Sequence, residues 1–594
     1  MGPGGSCPTI PIPARGAEGV WRGTVESSNL SDLCKLEDGA RPPPSRAERR
    51  RAYILRRRED KEEGEELQTR GRAIRLVAAA MAAGLLVTAG CSSGQRSDPG
   101  ETQQTQGRRL SITIDTFQGR IPEAEAVANY LRQVGVQAEV RIWEKNALLA
   151  EIQQGTRMAY TQDWGSSTFD PYDLAVPKLK TGDRGNYSFY SNPEVDRLLD
   201  EGASGTDPEA RRRAYEQAQQ ILIEDAPWIF GYYMDVVEAT TADVVGFVPA
   251  MDSRINLHDV SRTGADSLVV GMRTDRLQSL DPANHRDRDT ETVIRNIYDG
   301  LVTRTPHGEV VPELAESWEQ PDPTTYIFKL KQGVKFHDGS EMTADDVVFT
   351  FERIMAPDGI DGQQSPRLGL LGPLKSVEKL GDYEVKFTLE YPFPTWLQLL
   401  PHTQIVSKAH VERMGSSQAL SANPMGTGPF KFVRGQVDSE IVLERFDDYY
   451  GGSDALTPVG PAPLKTVTFR MIPEPSTRVA ALKAGEVHII QEVPIDQIPL
   501  LESDPNVRVH TTQGTRLYMI ELNNNLIPDA RVRRALNHAI DWDTILREIY
   551  GGRAHRVATA MLPSGFGYDP TVEPLKYDPE LAKQLLQEAG YATD

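Results

Sequence analysis

Hydrophobic positions beyond Leu110 follow two periods, one typical of strands and one typical of helices. Apolar residues alternate with polar ones in 111–117 and 138–143, and they recur at helical spacing in 123–133 and 146–154. This succession of strand and helix predicts a mixed, largely parallel sheet with helices on its faces. The predicted fold class is therefore α/β.

Capping signals predict where further helices begin. Asn192 and Asp207 each precede a proline, and a capping side chain followed by proline in the first helical position starts a helix, here through Leu199 and Glu224. Thr343 caps the amphipathic run ADDVVFTFERIM. Other predicted helices are 476–484 and 531–539, and other predicted strands are 228–239, 326–330 and 383–389.

The segment 70–91 has the layout of a signal peptide. Arginines precede the apolar run 76–90, which is too short to span a bilayer, and Cys91 follows it. The end of the segment resembles a bacterial lipobox, which implies export and lipidation at Cys91, although Thr88 stands where leucine is usual. The alternative is a buried alanine-rich helix.

Two polar segments flank this signal. Residues 1–69 are rich in proline, glycine and arginine and bury too little apolar surface to fold. We expect a disordered prefix or a reading frame that begins too far upstream. Residues 92–109 have the composition of a flexible tether.

Composition excludes several classes of function. The 594-residue chain has a formal net charge of −20, whereas nucleic-acid binding needs clustered lysine and arginine. All three cysteines lie at or before position 91, so the folded part has neither a disulfide framework nor a cysteine metal cluster. No other cluster has metal-ligand spacing, and His337 beside Asp338 is interpreted as a surface residue in a turn. We predict no metal and no cofactor.

Six short motifs carry a resemblance to one known family. The motifs are LAESWE at 314–319, KFHDGSEMTADDVVF at 335–349, NPMGTGPFKF at 423–432, RVAALKAGEVHII at 478–490, DARVRRALNHAID at 529–541 and YDPELAKQLLQEAGY at 577–591. Together they resemble the family 5 extracellular solute-binding proteins, the peptide-, nickel- and glutathione-type binding lipoproteins of ABC importers. The resemblance implies a two-lobed, periplasmic-binding-protein-like α/β fold of type II, in the large peptide-binding class.

The order of the family's segments is reversed in this chain. The part after Gly264 resembles the family's opening, and the segment 110–261 resembles its closing third. The sequence has no internal repeat, as expected of two complementary halves rather than two tandem copies. The resemblance therefore implies a circular permutation, with the old termini fused near 262–266.

The permuted order predicts a division into two lobes. Lobe II is formed by 110–228 and 527–594, and lobe I by 229–526 with an extra subdomain at about 310–415. Permutation is tolerated when the old termini lie close together at the surface. The alternative is a fusion or assembly artefact that joins two truncated binding-protein genes, whose lobes would be incomplete.

The segment DWGSSTFDPYD at 163–173 follows a predicted strand and, by resemblance, borders the cleft. Peptide carriers of the family usually have an acidic residue three positions after the tryptophan, where it pairs with the ligand's ammonium group. Here that position is Ser167, and a neutral hydroxyl cannot form the charge-assisted bond of a carboxylate. Free-amine peptides are expected as ligands only if Asp170 or Asp163 substitutes.

Other candidate ligand-binding residues follow from the same resemblance. Trp164 offers a flat face for stacking on a ligand, or else fills the core. Arg120 stands where some relatives have an arginine that binds a ligand carboxylate; an ordinary loop arginine is the alternative. The remaining candidates, each with plain packing as its alternative, are Ser166, Tyr232, Tyr233, Tyr518, Asn523 and Asp281.

The resemblance implies capture of an oligopeptide or other small polar solute and its delivery to ABC permease and ATPase subunits. It implies a monomer in the periplasm or on the outer face of the cytoplasmic membrane, held by lipid at Cys91. No enzyme is expected, because the chain lacks G-x-S-x-G, H-E-x-x-H and P-loop motifs, and Ser166 and Ser167 have no identifiable base. A ligand-sensing or chaperone-like accessory protein is the remaining alternative.

Overall fold

The computed structural model describes residues 108–456 and 459–593, apart from the side chain of Asn146. The predictions for the prefix, the signal peptide, Cys91 and most of the tether lie outside these residues. No helix in the described part of the chain is long and apolar enough to cross a membrane.

Strands and helices alternate through the described residues. Strands β1 to β19 are Ser111–Phe117, Gln137–Trp143, Ala159–Gly165, Trp228–Thr241, Val244–Val245, Ser261–Arg262, Ser267–Met272, Val302–Arg304, Val310–Pro312, Ala315–Asp322, Thr325–Leu330, Leu374–Gly381, Glu384–Leu389, Phe430–Gly435, Glu440–Arg445, Thr466–Met471, Ile489–Ile490, Val507–Leu522 and Ala554–Arg556. Helices α1 to α16 are Ile121–Gln133, Lys145–Gln153, Pro171–Leu174, Val176–Leu179, Pro193–Ser204, Pro208–Asp225, Arg288–Ile297, Ala344–Met355, Trp396–Leu399, Lys408–Met414, Ser417–Ala422, Pro475–Lys483, Ile498–Glu502, Ala530–His538, Trp542–Tyr550 and Pro579–Glu588.

The elements predicted from periodicity and capping are confirmed. β1 has the predicted bounds, and α5 and α6 begin where the side chains of Asn192 and Asp207 cap the first backbone N–H groups. α5 continues five residues past the predicted end at Leu199, because its buried face extends for another turn. The other predicted helices and strands are present within two residues of their predicted ends.

An eleven-stranded sheet runs through the described part of the chain, with β4 and β18 at its middle. Its order is β14-β15-β16-β7-β17-β4-β18-β3-β1-β2, and β19 also pairs with β4. The sheet is mixed as predicted, but it is not largely parallel. Only β1 with β2 and β3, and β7 with β16 and β17, pair in parallel, since β4 and β18 run against their neighbours on both sides.

Different hydrophobic cores form on the two sides of the β4–β18 pair. β1 and β2 pack with α1, α14, α15 and α16 around Ile112 and Leu536. β7, β15 and β16 pack with α7 around Val270 and Phe469. A separate antiparallel sheet, β10-β11-β13-β12, encloses a third core with α8 around Phe328.

The two ends of the described chain lie side by side. Arg108 forms a parallel bridge with Tyr591, and the amide of Ala592 donates to the carbonyl of Arg108 at 3.3 Å. A Cβ atom at Gly135, just after α1, would lie 2.5 Å from the Cα atom of Thr593. The last residues described therefore complete the layer that β1 and α1 begin.

Alanine at Gly135 tests this contact. Gly135 and Gly264 have φ angles of +86° and +79°, so alanine strains the backbone at either position, by about 1 kcal/mol. Among the described residues, no atom lies within 4 Å of a Cβ at Gly264, which makes Gly264→Ala the matched control. In urea denaturation we expect Gly135→Ala to lower the free energy of unfolding by about 1–3 kcal/mol more than the control. Equal losses of unfolding free energy in Gly135→Ala and Gly264→Ala would contradict the contact with Thr593.

Candidate functional site

A cavity of about 700 Å³ lies where β4 and β18 pass between the two sides of the sheet. One wall is formed by the ends of β1 and β3 and the start of α2. The opposite wall includes residues within 473–478 and 491–495, and residues within 234–238 of β4 and 514–518 of β18 join the two. The volume suits a small molecule, since such sites measure about 300–1,000 Å³.

Basic side chains outnumber acidic ones around this cavity. The basic lining residues are Arg120, Lys145, Arg273, Arg288, Arg478, Arg516 and Arg553, and the acidic ones are Asp163, Asp235, Glu238 and Glu492. The chain as a whole has a net charge of −20, so this excess of cations is local. A concave surface with this charge favours ligands that carry an anionic group.

Ion pairs within the protein occupy several of these charges. Arg516 pairs with Asp163, and Arg273 lies 3.0 Å from carboxylate oxygens of both Asp289 and Glu492. These pairs set the orientation of the side chains before any ligand arrives.

Arg478 donates only to backbone carbonyls among the described residues. Like Arg478, Arg288 has no carboxylate in direct contact among these residues. Its guanidinium donates to the carbonyl of Ser166 at 2.9 Å and to that of Asp252 at 3.4 Å. Burial lowers the pKa of Arg288 to about 10, so it remains a cation at neutral pH. It is therefore available to bind a ligand carboxylate.

Glu238 is an acidic residue of the same cavity wall and, like Arg288, has no oppositely charged group in direct contact among the described residues. Only 1% of its surface is exposed, and neither carboxyl oxygen has a hydrogen-bond partner among the described residues. Burial raises its pKa to about 8, with Arg273 opposing the shift and Asp252 adding to it. In the sequence, Glu238 could be noticed as the single carboxylate in the otherwise apolar and threonine-containing strand segment 236–241.

Three residues considered from the sequence line this cavity, namely Arg120, Tyr518 and Asp163. The Arg120 guanidinium lies 4.4 Å from the centre of the Tyr518 ring and 3.0 Å from Glu123. Tyr232 stacks on Tyr518 at a centroid distance of 5.2 Å and donates to Glu123 at 2.8 Å. Tyr232 therefore lies behind the cavity lining and supports Tyr518 and Arg120.

The loop after β3 folds around the carboxylate of Asp173. The Ser166 hydroxyl donates to it at 2.7 Å, and the Ser167 amide donates to it at 2.5 Å. The Trp164 indole donates to the carbonyl of the same Asp173 at 2.7 Å. Trp164, Ser166 and Ser167 are thus held by their own loop and do not line the cavity.

The possible acidic substitutes for Ser167 are both engaged. Asp170 is 6% exposed and pairs with Arg211 at 2.8 Å. Asp163 lines the cavity, but Arg516 pairs with it and Lys145 lies 3.6 Å away. Neither carboxylate is free of a cation before a ligand binds.

The other three candidates lie away from the cavity lining. Tyr233 packs against His555 at a centroid distance of 5.0 Å. Asn523 is buried and its side-chain amide donates to the carbonyl of Gly155 at 2.9 Å. Asp281 is fully buried and accepts two hydrogen bonds from Arg353, at 2.9 and 2.6 Å.

His337 lies in a turn, as predicted, but it is half-buried rather than an ordinary surface residue. Its imidazole donates to the carbonyl of Gly428 at 2.9 Å and accepts from the amide of Gly426 at 3.3 Å. Burial lowers the pKa of His337 to about 4. This histidine therefore fixes the glycine loop before β14.

Comparison with known proteins matches residues 309–594 to the profile of "Bacterial extracellular solute-binding proteins, family 5 Middle". The heme-binding protein A of Haemophilus influenzae is 32% identical over 309 residues, which cover 48% of this chain and 54% of the relative. The dipeptide-binding protein of Escherichia coli is 32% identical over 303 residues, which cover 48% of this chain and 55% of the relative. These matches show that nearly half of the chain is similar to the family 5 extracellular solute-binding proteins.

A solved structure gives a match of similar extent. The periplasmic binding protein DppA of Helicobacter pylori, in complex with the peptide STSA, is 32% identical, with a TM-score of 0.44. The match covers 55% of this chain and 66% of that one. The chain spans less than two thirds of the length of the curated relatives it matches.

Removal of the Glu238 charge tests its burial. The pKa of Glu238 rises from an ordinary 4.5 to about 8 on folding, so the wild type loses stability as pH increases between these values, by about 1.4 kcal/mol for each pH unit. Glutamine cannot ionise and avoids this loss. In thermal melts we expect the stability of Glu238→Gln, relative to wild type, to grow from pH 4.5 to about 8 and then to level off.

Glu492→Gln is the control for this measurement, since Glu492 lines the same cavity but its side chain is 65% exposed. It should show a much smaller change with pH. A stability difference between Glu238→Gln and wild type that is flat across this range would contradict the raised pKa.

Proposed function

We propose that the protein captures a small polar, peptide-like solute outside the cytoplasm and delivers it to an ABC permease. The observation that carries the proposal is the cavity of about 700 Å³ on the β4–β18 pair, with an excess of basic side chains in its lining. The match of residues 309–594 to the family 5 profile supports the same function. The names of the relatives, one for dipeptides and one for heme, leave the solute itself open.

The two sides of the cavity are proposed to be two lobes. Lobe II consists of 110–228 and 527–594, and lobe I of 229–526 with an extra subdomain at about 310–415. Support comes from the distribution of cores, since β1 and β2 pack with α14, α15 and α16 while β7 and β16 pack with α7. The sheet β10-β11-β13-β12 with its own core supports the extra subdomain.

Closure of the lobes is supported by contacts between the loop after β3 and the opposite side. Arg304 and His402 donate to the carbonyl of Ser167 at 2.5 and 3.1 Å, and Arg288 donates to that of Ser166 at 2.9 Å. These bonds exist only when the two sides are together. A ligand that contacts both sides would favour this closed state because it binds it better than the open one.

The chain is further proposed to be a circular permutation of the family's order. Support comes from the bridge between Arg108 and Tyr591, which joins the segments that an unpermuted chain would connect directly. At the proposed fusion, Arg262 pairs with Asp243 at 2.7 Å in the hairpin of β5 and β6. The competing proposal, a fusion of two truncated genes, predicts incomplete lobes.

Ligand contacts in this proposal come from Arg120, Arg288, Arg516 and Tyr518. Their charge suits a carboxylate, since arginine can bind it with two parallel hydrogen bonds. Tyr232 acts through its stack on Tyr518. No chemical step is proposed, and peptides should remain intact after incubation with the protein.

The proposed location is the periplasm or the outer face of the cytoplasmic membrane, with a lipid anchor at Cys91. The proposed partners are a permease and its ATPase, and the protein is proposed to act as a monomer. An accessory sensor is the alternative. Neighbouring permease and ATPase genes favour transport, and their absence favours the sensor.

Binding by the purified protein tests the proposed function. We expect native mass spectrometry to detect a bound solute and Arg516→Gln to weaken its binding about 10-fold, because a charge-assisted bond is lost. Arg434→Gln is the control, since Arg434 makes a similar exposed ion pair, with Glu440, away from the cavity. No bound solute, or conversion of a peptide to products, would contradict the proposal.

A reordered chain tests the permutation. Residues 264–593 would be placed first and joined through a short glycine linker to 108–262. Because Tyr591 already lies beside Arg108, we expect this chain to unfold in one transition and to bind the same solute with unchanged affinity. Aggregation of the reordered chain, or two weak transitions, would favour an accidental fusion.

A further inference from the structure

Glu238 is the acidic residue of the cavity that the protein leaves without a partner. Asp163 pairs with Arg516, Glu492 lies 3.0 Å from Arg273, and Asp235 lies 2.9 Å from His555. Both carboxyl oxygens of Glu238 lack a hydrogen-bond partner among the described residues, although the side chain is 99% buried.

A carboxyl group in this position is unfavourable without a hydrogen-bond partner. Buried polar groups are nearly always hydrogen-bonded, because an unmade bond costs the full desolvation of the group. Arg273, the cation that acts on Glu238 electrostatically, is itself held by Asp289 and Glu492. The described residues therefore leave the partner of Glu238 to be supplied by a bound molecule.

The position of Glu238 indicates the chemistry of this partner. It lies on β4, in the part of the lining that joins the two walls, while Arg288 in the same cavity has no carboxylate in contact among the described residues. A ligand that contacts both Glu238 and Arg288 needs a hydrogen-bond donor at one end and an anionic group at the other. Amino acids and short peptides have this arrangement, with an ammonium group and a carboxylate.

We infer that Glu238 binds the protonated amine of an amino-acid-like or peptide ligand whose carboxylate lies among the arginines of the same cavity. The inference rests on the proposed function and adds a residue that takes the role for which Ser167, Asp170 and Asp163 are unsuited. An ammonium group in contact would stabilise the ionised carboxylate, so Glu238 would release its proton to solvent on binding.

The test uses two peptides that differ only at the amine. Isothermal titration calorimetry at pH 7 would compare Ala-Ala-Ala and N-acetyl-Ala-Ala-Ala on the full chain. We expect wild type to bind Ala-Ala-Ala about 10- to 100-fold more tightly than the acetylated form. Glu238→Gln should lose the same factor for Ala-Ala-Ala and bind the acetylated form as wild type does.

Glu440→Gln is the control, because Glu440 lies outside the cavity lining and already has a cationic partner, Arg434. Its affinity for Ala-Ala-Ala should stay within about threefold of wild type. Thermal melts of each variant would confirm that it is folded.

The outcomes separate this inference from the proposed function. Equal affinity of wild type and Glu238→Gln for Ala-Ala-Ala overturns the role of Glu238 alone. Equal affinity of wild type for the two peptides also overturns it. Binding of neither peptide by wild type contradicts a peptide-like ligand, and this inference fails with it.

Discussion

The pairing of β4 with β18 is the constraint on which the rest of the structure depends. The two strands pair antiparallel from Val507 opposite Thr241 to Glu521 opposite Trp228, so one ladder with two register shifts joins both sides of the cavity. Between Gln513 and Leu517 the register shifts, and residues 514–516 of β18 form a bulge without ladder partners on β4. At this bulge the amide of Ser166 donates to the carbonyl of Thr515, and Arg516 enters the cavity lining.

Close packing of the backbone fixes this pair. A Cβ atom at Gly231 would lie 2.0 Å from the carbonyl oxygen of Tyr518, and one at Gly514 would lie 2.3 Å from that of Met234. Both strands need glycine there because another side chain would force the ladder apart. The ladder thus holds the cavity lining on β4 and β18 in place.

The sequence could predict what is decided locally. Asn192 and Asp207 cap their helices as expected, and β1 has its predicted bounds, because capping and periodicity act over a few residues. The cavity could be predicted only in part. Arg120 and Tyr518 line it, whereas Glu238 and Arg288 were missed because their significance depends on partners that distant segments do or do not provide.

The distance between the two sides, with and without ligand, tests the central claim most directly. Ile142 and Val433 are exposed on opposite sides of the β4–β18 pair, and spin labels at Ile142→Cys and Val433→Cys would report it once the three native cysteines are replaced by serine. Double electron–electron resonance should give a distribution that shortens and narrows when Ala-Ala-Ala is added to saturation. An identical distribution in a sample that has bound the peptide would contradict closure about the β4–β18 pair.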